Sequence, residues 1–152
     1  MKLRLIHGGG EIKRIDPQIK KAFKLLDGHN LGEVRQDGDL LDKICSLGFD
    51  YESSSGATFL GNTQVIKCGL VTRMPPPIKY RIPTLIYDYD TRPLHPKNWD
   101  WVHVLLIQPL IKPVHSEEHW IEMANIEKRI KGTDFHEDNF GIYKGEVKLL
   151  DW

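Results

Sequence analysis

Three oxygen-bearing side chains near the C-terminal end carry the clearest chemical signal in this sequence. Asp134 and Asn139 are five residues apart in a loop, Thr133 to Asn139, and Asp151 follows twelve residues later. Two strand-like runs, Phe140 to Tyr143 and Glu146 to Leu150, separate Asn139 from Asp151 and turn at Lys144-Gly145. A hairpin there returns Asp151 to the edge it left, and so gathers two carboxylates and an amide oxygen around one point. Hard oxygens in that arrangement suit magnesium held against phosphate.

Other patterns carry less. His7-Gly8-Gly9-Gly10 matches an esterase oxyanion element, but no G-x-S-x-G nucleophile elbow accompanies it, so it reads as a flexible hairpin loop. His115-Ser116-Glu117-Glu118-His119 matches a zinc-protease pattern; Ser116 reads as a helix N-cap, which leaves His115 outside the helix. Cys45 and Cys68 lie near no histidine pair and make no disulfide framework, so free thiols are expected. Lys13, Arg14, Lys20, Lys21 and Lys24 lack interleaved aromatics and read as a solvated face, not a nucleic-acid surface.

The elements that must position these residues follow from pattern. Lys2–Ile6 and Glu11–Ile15 read as an N-terminal hairpin. Asp16-Pro17 opens a helix that runs to Leu26, and Asp39 caps a second with Leu40, Leu41, Ile44 and Leu47 on one face. Phe49–Ser54, Ala57–Leu60 and Gln64–Val71 form a three-stranded meander, with tight turns at Gly56 and Gly61-Asn62. Pro75-Pro76-Pro77 is a stiff connector. Ile82–Tyr89 and Val102–Leu110 add two strands, the second apolar on both faces and therefore central. Glu117–Ile130 is a third helix, with Trp120, Ile121, Ala124 and Ile130 as its expected buried stripe. The class is α+β, a single domain of three sections: 1–48, 49–111 and 112–152.

Composition agrees with a folded protein. The chain has 152 residues, 21 basic and 21 acidic, and 40% of it is hydrophobic. Zero net charge excludes binding nucleic acid through a global positive field. No run approaches 18 apolar residues and no signal-peptide core follows the start, so a cytoplasmic protein without membrane contact is expected.

The segment Asp134-Phe135-His136-Glu137-Asp138-Asn139-Phe140-Gly141, followed by a hairpin and Asp151, resembles the catalytic loop and metal-binding aspartate of protein-kinase-like proteins. The form with His136 two residues after Asp134 is most similar to compact kinase-like proteins of bacteriophages. Val65-Ile66-Lys67 resembles the strand that carries the ATP-binding lysine. Ser53–Phe59 lies where that family has its phosphate-covering loop, and Gln108-Pro109-Leu110 resembles the hinge that meets adenine. The resemblance spans Phe49 to Trp152 and implies a minimal kinase-like fold without most of its C-terminal lobe: a five-stranded antiparallel sheet, a helix and a catalytic-loop hairpin, preceded by the N-terminal hairpin and two helices.

What it implies for the residues is specific. Asp134 and Lys67 are the catalytic pair; Gly56, Lys67, Gln108 and Leu110 bind nucleotide; Asn139 and Asp151 hold Mg2+ with ATP. Phosphoryl transfer to the protein itself or to a docked macromolecule follows, in the host cytoplasm if the source is viral. A non-catalytic kinase-like module that binds a protein partner is the alternative. Several departures imply slow turnover. Gly132-Thr133 replaces His-Arg, Trp152 replaces Phe-Gly, and residues 68–81 leave no room for the glutamate-bearing helix that pairs with the lysine, for which Asp42 is a candidate substitute.

Overall fold

The computed structural model describes residues 2–53, 56–72, 75–90, 102–114, 117–130 and 137–152. The chain is α+β and falls into two compact units, residues 1–74 with 83–110, and residues 75–82 with 111–152.

The first unit is a six-stranded antiparallel sheet. Its strands are β1 (Arg4–His7), β2 (Asp50–Ser53), β3 (Ala57–Leu60), β4 (Gln64–Thr72), β5 (Leu85–Asp88) and β6 (Val102–Pro109), in the spatial order β1-β5-β6-β4-β3-β2. β2, β3 and β4 form the expected meander, and β6 is central, with Val104 to Ile107 buried. The sequence leads to five strands here; the sixth is β1.

β1 also overturns the N-terminal hairpin. It pairs with β5, and residues 11–15 form no strand. The reason is where the backbone of that segment finds partners. The Gln64 amide donates to the Arg14 carbonyl (2.7 Å) and accepts from the Asp16 N–H (2.9 Å), so a side chain fifty residues away takes the place of a ladder.

Helices α1 (Pro17–Leu26) and α2 (Gly38–Cys45), and a 3-10 helix at Leu31–Gln36, pack on one face of the sheet. Ile19, Ala22 and Leu26 of α1 are buried at i, i+3 and i+7; Leu40 and Ile44 of α2 are buried at i and i+4. They meet Phe59, Ile66, Cys68, Leu85, Leu105 and Ile107, the inward set of the alternating strands. Phe59 is the centre, edge-on to Phe49 at 6.3 Å and beside Tyr51 at 5.4 Å. The cap of α2 is Asp37, not Asp39: the Asp37 carboxylate accepts from the Leu40 N–H at 3.2 Å. In β4 a bulge falls at Gly69, whose φ of +79° and position against the Leu31 carbonyl leave no room for a Cβ.

The second unit is smaller. Helix α3 (Trp120–Arg129), entered through a 3-10 turn at Glu117–His119, packs against the hairpin β7 (Phe140–Tyr143) and β8 (Glu146–Leu149). Lys144 (φ 51°) and Gly145 (φ 80°) make the two-residue turn read from the sequence. The buried stripe of α3 is corrected: Met123 and Ile126 are buried, with Ile130 partly so, while Trp120 and Ile121 are exposed. The reason is phase. Met123, Ile126 and Ile130 share one face at i, i+3 and i+7, and Phe140, Val147 and Leu149 cover that face. The expected N-cap, Ser116, lies outside the described residues.

Residues 75–82 join this unit through Ile82, whose N–H donates to the Leu149 carbonyl at 3.0 Å. Arg81, only 2% exposed, donates from Nε to the Pro76 carbonyl at 2.8 Å and lies 5.9 Å from the Trp152 ring. Among the described residues no helix is long and apolar enough to cross a membrane.

Candidate functional site

The first unit carries the lysine and three other residues singled out for nucleotide. Alternation along β4 puts Ile66 and Cys68 among the core residues beneath the helices and Lys67 on the opposite face. Lys67 is half-buried there. Its cross-strand neighbours are Thr58 on β3 and Leu106 on β6, so the three share a row. Gly56 is buried and immediately precedes β3, two residues before Thr58 and so about 7 Å along the strand from that row. Ser54 and Ser55, between β2 and Gly56, lie outside the described residues.

Gln108 pairs with Val65 in the same register, two residues from the Lys67 row and on its face. It is 1% exposed, and its amide donates to the Thr84 hydroxyl at 3.1 Å. The Thr84 N–H in turn lies 3.4 Å from a Glu11 carboxylate oxygen. Gln108 therefore contributes a buried polar pair with Thr84. Leu110 lies just past β6 and is exposed; its N–H donates to the Thr63 carbonyl at 2.9 Å. Its amide is therefore already engaged, and its side chain is exposed.

Asp42 does not sit on the Lys67 face. It belongs to α2, which packs on the other side of the sheet. Cys68, next to Lys67, points into the core, and burial pushes its thiol up to about 12. It is a packing residue and not a nucleophile. Both cysteines are free, as expected.

The second unit carries the metal candidates. Phe140 is opposite Leu149 in the hairpin, and the Leu150 N–H donates to the Asn139 carbonyl at 2.7 Å. That bond closes the open end of the hairpin and puts Asn139 and Asp151 at the same end. Asn139 is half-buried and Asp151 exposed. One carboxylate and one amide oxygen fit magnesium, which takes one or two protein oxygens and completes its shell with phosphate and water. No cluster of three or more His, Cys, Asp or Glu suited to a metal occurs among the described residues. Asp134 and His136 lie outside the described residues, as does His115. His119 is in the 3-10 turn before α3, and its Nδ1 is 3.7 Å from Glu122, too long for a hydrogen bond.

Comparison with protein-family models, with characterised proteins and with solved structures finds no match to this chain.

Two features escaped sequence reasoning. Thr84 gave no local signal, because its partner is 24 residues away across β5 and β6. Arg81 left only a faint one, a cation set between Tyr80 and the apolar Ile82 ahead of a proline. Beside it, a hydrogen bond from Lys79, with Arg129 close by, holds the Tyr80 phenol below its usual range.

Proposed function

We propose that the protein binds ATP with magnesium and transfers phosphate slowly, to itself or to a docked macromolecule. The observation that supports this most is the closure of the β7–β8 hairpin, with Leu150 bonded to Asn139 and Asp151 beside them. The resemblance to kinase-like proteins leads one to expect Asn139 and Asp151 at the same end of such a hairpin. A second support is local to the sheet: Lys67 shares a row with Thr58, and Gly56 is one turn-length away. In this reading Lys67 neutralises phosphate charge, Gly56 lets the backbone approach, and Leu110 borders the base. Asn139 and Asp151 hold the ion, and Asp134 orients the acceptor hydroxyl. Positioning and charge neutralisation supply most of the rate in such reactions. Residues 68–81 leave no room for the glutamate-bearing helix of the kinase-like family, and in this reading the rate is low for that reason.

Calorimetry and thermal melting with ATP, with and without magnesium, test it. A ligand that binds only the folded chain stabilises it by about 2.7 kcal/mol at a hundred times Kd. Lys67→Ala weakens ATP by roughly 10- to 100-fold, the loss of a charge-assisted bond to phosphate. Asp151→Asn abolishes the magnesium dependence. Asp134→Asn keeps binding and removes label transfer from γ-labelled ATP, because its contact is with the acceptor in the transition state. No melting shift at millimolar ATP–Mg would remove the nucleotide reading and leave the partner-binding module.

A further inference from the structure

We propose that Tyr80 is the hydroxyl that receives the phosphoryl group when the chain labels itself. The proposal rests on the phosphotransfer reading above and names its acceptor. The residues that argue for it all belong to the second unit. Tyr80 ends the 3-10 turn Ile78–Tyr80, and its ring packs against the cluster of Met123, Ile126, Phe140, Val147 and Leu149. Two cations meet its oxygen. The Lys79 ammonium hydrogen-bonds the phenol and lies 4.8 Å from the ring centre. The Arg129 guanidinium, from the last residue of α3, hydrogen-bonds the same phenol. Lys148 is taken up elsewhere, by Glu146 at 3.1 Å and by the Lys79 carbonyl at 2.6 Å.

Position and chemistry select this phenol among the five tyrosines of the chain. Arg81 is bridged in parallel to Leu149, so Tyr80 runs beside the strand that ends at Asp151. Three residues along and one strand across put its Cα about 11 Å from that of Asp151. A tyrosine side chain and a metal-bound triphosphate together span that gap. Tyr143 sits at the turn, the opposite end of the hairpin from Asn139 and Asp151. The other three belong to the first unit. Tyr51 lies against Phe59 at 5.4 Å, Tyr87 is edge-on to Phe23 at 4.8 Å, and the Tyr89 hydroxyl donates to the His29 carbonyl at 2.7 Å. Burial pushes the phenols of Tyr87 and Tyr89 up, whereas the bond from Lys79, and after it Arg129, pushes that of Tyr80 down. A phenol held towards phenolate is the better nucleophile. The same two cations suit the product, since a tyrosine phosphate brings oxygens that accept charge-assisted bonds from lysine and arginine.

In the step itself the Tyr80 oxygen forms a bond to the γ-phosphorus of ATP. The bond from that phosphorus to the β,γ-bridging oxygen breaks, and its electron pair leaves on ADP. The phenol proton passes to the carboxylate that the reading assigns to Asp134. Incubating the full chain with γ-labelled ATP and magnesium, and locating the label by mass spectrometry, tests the acceptor; the melting shift with ATP–Mg reads binding separately. The expected result is phosphotyrosine at position 80. Tyr80→Phe leaves the ring in its packing, keeps the melting shift and lowers the label by at least about tenfold. Arg129→Gln keeps the melting shift and slows labelling by roughly three- to tenfold. Label that maps to any other residue, or that survives Tyr80→Phe, overturns this inference and leaves the phosphotransfer reading standing. So does a labelling rate indifferent to both Arg129→Gln and Lys79→Gln. A melting shift with no label in the wild type overturns the inference and leaves ATP binding alone. Neither shift nor label overturns both.

Discussion

The two units are stabilised by different means. The first encloses a cluster of sixteen buried apolar residues, in which three short helices cover one side of a six-stranded sheet. Among the described residues the second encloses a cluster of five: Met123, Ile126, Phe140, Val147 and Leu149. It adds a polar strap in which Arg81, Ile82 and Lys148 tie residues 75–82 to the hairpin, as Gln64 ties residues 14–16 to β4 in the first. Besides the bonds of Arg81 and Ile82, the Lys148 ammonium donates to the Lys79 carbonyl at 2.6 Å. Where apolar area is scarce, directional bonds to backbone carbonyls make up part of the difference, each worth about 1 kcal/mol net and more when the donor is charged. The contrast teaches where the molecule can be injured.

The largest effect is expected in the first core. Phe59→Ala removes a ring with 0% exposure and two aromatic neighbours, and should lower stability by about 3–5 kcal/mol in urea titration, since the sheet and helices around it cannot collapse into the space. Arg81→Met should cost about 1–3 kcal/mol by leaving the Pro76 carbonyl buried without its donor. That loss should be read first in the Trp152 fluorescence, because the Arg81 side chain lies over that ring. An Arg81→Met loss as large as that of Phe59→Ala would mean that the strap, and not the apolar core, dominates stability.

The smallest effect at neutral pH belongs to Cys68. Its thiol rises in the fold from 9.0 to about 12 through burial. The folded chain therefore binds that proton more tightly than the unfolded one. The contribution is fully present below pH 9 and is lost as pH climbs from 9 towards 12. Cys68→Ala should flatten the stability profile in that window while changing it by only about 1 kcal/mol at pH 7. With a thiol reagent at pH 8, half-buried Cys45 should react before Cys68, which should wait for unfolding.

Much of this was legible because it is local. Asp16-Pro17 starts α1, Lys144-Gly145 turns the last hairpin, and the glycine turns separate the meander strands, all through chemistry within a few residues. The pairing of Asn139 with the Asp151 end follows from that hairpin alone. The rest depends on distant partners. Glu11–Ile15 looks like a strand until Gln64 takes its backbone groups. Gln108, read as a hinge residue, also pairs its amide with Thr84, a partner that nothing near it in sequence announces. Trp120 and Ile121 look like core because apolar periodicity reports that a face is sticky, not which element covers it.

Residues 75–82 leave the first unit, bond to the second and return before β5 begins. The chain thus passes between the units three times, after residues 74, 82 and 110. Neither unit is a continuous stretch of sequence, so neither can be lifted out by a single cut. A fragment ending at Leu110 would carry Ile82, a buried isoleucine, with Leu149 missing, and a fragment starting at Ile111 would lack the arginine its tryptophan rests against. In genetic terms the two units are spliced into one another, and an exchange that replaced one without the other would have to break the chain in three places.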